Sequence, residues 1–303
     1  MKHLLSIADL SAEDVEDLFR LAAEWKRRTK AREVGTPLAG HSQALVFEKP
    51  SLRTRVTFEV GMAQLGGASV YLAGQDIGLG RRESIADVAR NLGRWVDVIV
   101  ARTFTQATVD ELARHAGIPV VNALSDREHP CQALADFFTL WERGVVLRGV
   151  KLGWIGDGNN VSQSLMLFAA LVGTEMSLAV PPGYEPEPRV LETARAWGGR
   201  ITVTDDVPMA ARDADAIYTD VWTSMGQEAE RERRLEAFSR YQVNDRVMSF
   251  AKPGAVVMHC LPAHRGEEIT DAVLDGPRSV VLDQSENRLH VQKAVLLRLL
   301  GKG

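Results

Sequence analysis

The sequence predicts an α/β protein of two doubly wound parallel-sheet domains, with the active site expected in the cleft between them. Three observations carry that prediction. Short β-branched runs alternate with helical patterns along the chain, as parallel sheets require. The runs fall into two series that part near residues 130–150. Polar and reactive residues collect just after the runs, at the strand ends where open parallel sheets bind ligands.

The elements follow in order. Ser11 is an N-cap with Asp14 three residues on, and Val15, Leu18, Phe19, Ala22 and Trp25 then form one apolar stripe. Strands are expected at 43–47, 68–72, 97–101 and 118–122, then at 151–155, 176–180, 200–204, 215–219, 255–258 and 279–282. A helix from Pro130 to Arg143 ends at Gly144, and a last helix runs from about Glu286 to Leu300. The division drawn is 1–135, with the C-terminal helix 286–303 packing back on it, and 136–285.

The 303 residues suffice for two domains, and 45% hydrophobic with 25% charged residues is ordinary for a folded chain. A balance of 36 basic against 40 acidic residues argues against nucleic-acid or acidic-membrane partners. No stretch approaches the ~20 apolar residues of a membrane span. The first residues do not read as a secretory signal, and two cysteines are too few for a disulfide framework. A cytoplasmic setting is the expectation. Of the basic residues 28 are arginine and eight lysine, a bias that composition alone does not explain.

Ser51-Leu52-Arg53-Thr54-Arg55, opening a helix, offers backbone N–H groups, hydroxyls and guanidinium forks to an anion with several oxygens, such as a phosphate. The blander alternative is a charged helix start. Arg102 and His129, at other strand ends, add donors where an oxyanion develops. Gly156-Asp157-Gly158-Asn159-Asn160 resembles a dinucleotide turn. However, Val161 stands at the third glycine position, and Val180-Pro181-Pro182 replaces the acid beyond the next strand. The glycines are better read as a tight turn projecting Asn160. His259, Cys260 and His264 have poor spacing for zinc, and no metal is expected. Cys131 is read as filling space, and the charged run 228–234 as a solvated helix face.

Together SLRTR (51–55), HPCQ (129–132), DVWTSMG (220–226) and HCLP (259–262) resemble the aspartate/ornithine carbamoyltransferase family over essentially the whole chain. Ser224-Met225-Gly226 and His259-Cys260-Leu261-Pro262 are similar to its ornithine-using members. The resemblance implies carbamoyl transfer from carbamoyl phosphate to the δ-amine of L-ornithine, giving L-citrulline and phosphate without a cofactor. It implies a carbamoyl-phosphate-binding first domain and an ornithine-binding second domain. Ser51, Leu52, Arg53 and Thr54 would hold the phosphate, with Arg102 bridging phosphate and carbonyl oxygen. His129 and Gln132 would hold the carbamoyl group, next to Cys260 and Leu261, and Arg288 would complete that site. Asn160, Asp220, Ser224 and Met225 would bind ornithine. Cys260, Arg102 and His129 are the expected catalytic residues, with Arg55 supporting the anion pocket.

Two departures stand out. Leu52 occupies a position where many members have Thr. Gly78 stands where some carry Gln or His reaching a neighbouring subunit, and whether Arg81 or Arg82 substitutes is left open by the sequence. A homotrimer, or a multiple of trimers, is the implied assembly. The alternatives are transfer to another amine such as putrescine, catabolic citrulline phosphorolysis, a non-catalytic binding relative, and a nicotinamide dehydrogenase.

Overall fold

The structure is a computed structural model that describes residues 1–33, 35–224, 226 and 228–302. It divides into two compact units, Met1–Phe138 with Glu286–Gly303, and Thr139–Ser285. Each has its own parallel sheet.

The first unit opens on α1 (Ala12–Lys30), where the Ser11 hydroxyl accepts from Asp14 N–H and Asp14 reaches back to the cap backbone. The stripe read from the sequence, Val15 to Trp25, is the face it buries. There follow β1 (Ser42–Phe47), α2 (Leu52–Gln64), β2 (Ala68–Ala73) and the single turn α3 (Gly74–Ile77). Next come α4 (Ile85–Trp95), β3 (Val98–Arg102), α5 (Gln106–Ala116) and β4 (Val120–Leu124). The strand order is β2-β1-β3-β4. Strand β3 is buried at every residue, as expected of a central strand covered on both faces, whereas the edge strand β2 alternates. Ala44, Val46, Ile99 and Ala101 pack with Val88, Leu92, Val109 and Leu112 of α4 and α5. Gly93 lets those helices approach, since a Cβ there would lie 1.9 Å from the Ala116 carbonyl oxygen.

Helix α6 (Pro130–Glu142) contains the boundary. The second unit then runs β5 (Lys151–Ile155), α7 (Asn160–Val172), β6 (Glu175–Ala179), α8 (Pro188–Ala196), β7 (Arg200–Thr204), α9 (Val207–Ala211) and β8 (Ala216–Thr219). It continues with α10 (Arg231–Phe238), α11 (Asp245–Phe250), β9 (Val256–His259) and α12 (Asp271–Leu274). The strand order is β7-β6-β5-β8-β9, and Trp154 stacks on Tyr218 with ring centroids 5.2 Å apart.

One strand expectation fails. Residues 279–282 form no strand; Ser279 makes a lone bridge to Val257, and α13 (Val281–Leu299) begins two residues later. A four-residue apolar run carries no period, and this one is a buried helix start with Leu282 turned to solvent.

Candidate active site

In each unit the candidate residues sit where the strand order reverses, the crevice position expected of doubly wound sheets. In the first unit that point lies between β1 and β3, where Phe47 is in register with Arg102. The β1 end leads straight into Ser51, the N-cap of α2, whose hydroxyl accepts from Thr54 N–H at 3.2 Å. The helix start thus presents its remaining N–H groups and the positive end of its dipole. Thr54 is buried, Arg53 half-buried and Leu52 exposed.

Arg288 of α13 joins this helix start to α6. Its guanidinium donates to Thr54 Oγ1 at 3.0 Å and to Gln132 Oε1 at 2.5 Å, and Gln132 donates in turn to Asp136 at 2.8 Å. Arg102 and His129 are both buried. Burial first, and then the charges of Arg288, Arg102 and Arg53, hold the His129 imidazole well below its ordinary pKa. A neutral ring surrounded by three cations is suited to donating a hydrogen bond to an oxyanion without adding charge.

Arg55 does not join that group. Its guanidinium lies 3.7 Å from the Tyr71 ring centroid and pairs with Glu59 at 3.0 Å on the outer side of α2. Each residue of a helix advances about 100°, so Arg53 and Arg55, two apart, point about 160° away from one another. Cys131 is fully buried, with its thiol pushed up to about 12 by desolvation, and donates weakly to Asn122 O at 3.7 Å.

In the second unit the reversal lies between β5 and β8, with β9 beside β8. Thr219 is in register with His259, which brings the following residues, Asp220 and Cys260, side by side. The Cys260 thiol donates to Asp220 Oδ1 at 2.9 Å. Asp220 Oδ2 accepts from Asn159 Nδ2 at 2.8 Å, while Asn159 Oδ1 caps α7 through Val161 N–H and Ser162 N–H. Asn160 opens α7, half-buried, and Ser224 is half-buried on the loop after β8. Met225 lies outside the described residues.

His259, fully buried, fixes the loop beyond β9. Its Nδ1 accepts from Leu261 N–H at 2.8 Å, so the proton sits on Nε2, which donates to Glu268 Oε1 at 3.1 Å. Leu261 takes a left-handed φ of +57°, a conformation unusual for leucine, with its N–H bonded to that ring. Asp220, His259 and Cys260 bring possible ligand atoms within 4.8 Å of one another. Both imidazole nitrogens are already engaged, which makes this a poor ready-made metal site.

Three features were missed from the sequence. Asn159 holds Asp220, and an Asn before a helix start is a readable N-cap signal. Glu268 holds His259. Arg234, in the run read as solvated, is buried against Asp157 at 2.9 Å. Burial pushes the Asp157 carboxyl up to about 6 despite the adjacent guanidinium.

Two doubly wound units, with a helix start suited to an anion in one and a thiol–carboxylate pair in the other, fit a group-transfer enzyme. Residues 2–142 match the family model for the carbamoyl-P binding domain of aspartate/ornithine carbamoyltransferase, and residues 148–299 match its Asp/Orn binding domain. The chain belongs to the aspartate/ornithine carbamoyltransferase family. It is 52% identical over 302 residues to the ornithine carbamoyltransferase of Methanoculleus marisnigri, covering 100% of this chain and 98% of that one. It is 49% identical to the anabolic ornithine carbamoyltransferase of Pyrococcus furiosus, covering 99% and 96%. A solved ornithine carbamoyltransferase structure from Pyrococcus furiosus superposes with a TM-score of 0.96 at 49% identity, covering 99% and 97%. No described helix is long and apolar enough to cross a membrane.

Proposed function

We propose that this chain transfers the carbamoyl group of carbamoyl phosphate to the δ-amine of L-ornithine, giving L-citrulline and phosphate, as a step of arginine biosynthesis. The observation that carries the reading is the Cys260–Asp220–Asn159 chain of hydrogen bonds at the ends of β8 and β9. It stands in a protein about half identical, end to end, to enzymes named for that reaction.

The first unit takes carbamoyl phosphate. Backbone N–H groups of Leu52 and Arg53, the Ser51 and Thr54 hydroxyls and the Arg53 guanidinium bind the phosphate dianion. Arg102 spans phosphate and carbonyl oxygen, neutral His129 donates to that oxygen, and Gln132 orients the carbamoyl amide. Arg288 holds Gln132 and Thr54 in place. The second unit takes ornithine. Asp220 pairs with the α-ammonium, and Asn160 and Ser224 bind the α-carboxylate end; Met225, outside the described residues, is assigned to the same substrate by resemblance alone. The reaction requires both sets of residues to act on one carbon, with Cys260 and Leu261 beside the carbamoyl end.

A δ-ammonium with a pKa near ~10.4 must first lose a proton. Desolvation of the δ-ammonium favours release of that proton to solvent, so that the neutral amine meets the carbonyl. Its lone pair attacks the carbonyl carbon, and Arg102 and His129 stabilise the oxyanion. Collapse breaks the carbon–oxygen bond to phosphate, and the second nitrogen proton leaves on the departing phosphate.

An exposed apolar stripe at one-turn spacing on α2, Leu52, Val56 and Val60, supports a face covered by a second copy, and we assign a homotrimer. Sedimentation of the purified protein as a monomer would contradict that. A half-buried thiol at Cys260 that forms no disulfide fits the reducing cytoplasm.

A citrulline colour assay tests the reading, with carbamoyl phosphate and, in turn, ornithine, putrescine and α-N-acetylornithine. Ornithine is expected to be used at least about a hundredfold better, since putrescine lacks the α-carboxylate that Asn160 and Ser224 bind and α-N-acetylornithine lacks the α-ammonium that pairs with Asp220. Absence of citrulline, or a preference for putrescine, overturns it.

A further inference from the structure

Among the described residues three arginines are buried: Arg102, Arg288 and Arg234. The first two belong to the anion site. Arg234, in α10, does something else. Its Nη1 donates to Asp157 Oδ2 and to the Trp222 carbonyl, each at 2.9 Å, and its Nε donates to Glu230 at 3.1 Å. The guanidinium lies 4.9 Å from the Tyr184 ring centroid.

Asp157 lies on the turn after β5 that carries Asn159 and Asn160. Trp222 lies on the loop after β8, between Asp220 and Ser224. Three residues earlier in α10, Arg231 pairs with Glu267, the neighbour of the Glu268 that holds His259 beside Cys260. The same loop is tied again by Gln242, which donates to the carbonyls of Gly266 and Glu267 at 2.8 and 3.0 Å. One short helix thus touches the loops after β5, β8 and β9, the three of the second unit that carry Asn160, Asp220 and Cys260.

We infer that α10 sets the mutual register of the three loops that bind the amino acid, with Arg234 as its principal positioning residue and Arg231 as a secondary one. This rests on the ornithine reading above. Arg234 touches no substrate; it acts through Asp157 and the Trp222 carbonyl. Its planar guanidinium serves three acceptors from two nitrogens while its Cζ lies against the Tyr184 ring, a combination lysine does not reproduce. Removing one member of a buried pair leaves the other charge unpaired, and the loops shift to hydrate it. A shift of ~1 Å at a positioned group costs on the order of a hundredfold. The Arg231–Glu267 pair is more exposed, so it contributes less.

The test compares Arg234→Met, Arg234→Lys, Asp157→Asn and Arg231→Ala with the parent. For Arg234→Met the expected result is a rise of about 30-fold in KM for ornithine, with KM for carbamoyl phosphate changed less than about threefold. Arg234→Lys falls between parent and Met, and reports on the clamp if the Met variant does not fold. Combining Asp157→Asn with Arg234→Met adds little to the worse single variant, since both break one contact. Hydrogen exchange of backbone amides at 220–224, without substrate, quickens about tenfold in the Arg234 variants while β5 is unchanged. The inference falls if a folded Arg234 variant keeps its KM for ornithine, if both KM values rise together, or if exchange is unaltered. A parent that forms no citrulline defeats the proposed function, and the exchange measurement then decides the clamp by itself.

Discussion

The Cys260 thiol donates to Asp220 Oδ1 at 2.9 Å, so in the resting protein its proton is already committed to a carboxylate. A thiol in that state is a hydrogen-bond donor that orients Asp220, and a weak acceptor for an amine proton. Ser keeps the donor, whereas Ala leaves the carboxylate oxygen with Val221 N–H alone. Cys260→Ala is expected to lower kcat/KM for ornithine by about a hundredfold or more and to move the pH profile, with Cys260→Ser retaining more activity. An unchanged rate and profile in the Ala variant would remove Cys260 from the chemistry.

Arg288 bridges Gln132 and Thr54, on two different helices of the first unit. Arg288→Met deprives both acceptors of their donor and takes a cation from the anion site. KM for carbamoyl phosphate is expected to rise about 10- to 100-fold, with inhibition by inorganic phosphate weakened in parallel. Steady-state kinetics with phosphate as competitor checks this.

His129 gives the protein an acid-sensitive term of known sign. The unfolded imidazole takes a proton below about pH 6.5, while the folded one is kept neutral by burial and by Arg288, Arg102 and Arg53. The unfolded state therefore binds more protons as pH falls, and this part of the stability is lost downward from about pH 6.5, at up to about 1.4 kcal/mol per pH unit. Between pH 7 and pH 5, His129→Asn should lose less stability than the parent by about 1–2 kcal/mol in urea unfolding. Equal losses would contradict this assignment.

Gly93 is a test of packing away from the chemistry. A methyl group there meets the Ala116 carbonyl oxygen at 1.9 Å, which forces α4 and α5 apart. Gly93→Ala is expected to cost about 2–4 kcal/mol of stability, read as a lowered Tm. The helix propensity gained by Ala, about 1 kcal/mol, does not offset it.

Much of the fold was legible because parallel sheets covered on both faces leave near-continuous apolar runs. Val98–Arg102 and Lys151–Ile155 are such strands, and their ends could be read for chemistry. Residues 279–282 misled because four apolar residues carry no period that separates a strand from a buried helix start. Ser51 and Thr54 were readable from local spacing. Arg55 was not separable from Arg53 until the helix turned them apart. Arg234 was invisible in its run of charges because its partner Asp157 is 77 residues away, and nothing local distinguishes a buried arginine from a solvated one.

The first unit is discontinuous in the chain: its body is Met1–Phe138, yet Arg288 arrives on the last helix. Synthesis runs from the N-terminus, so the second unit is made before Arg288 is available to the first. On the proposed reading, the carbamoyl phosphate site cannot be assembled in the nascent chain until α13 has been made. A premature stop shortly before Arg288 would leave the second unit whole and, on that reading, the first substrate site incomplete.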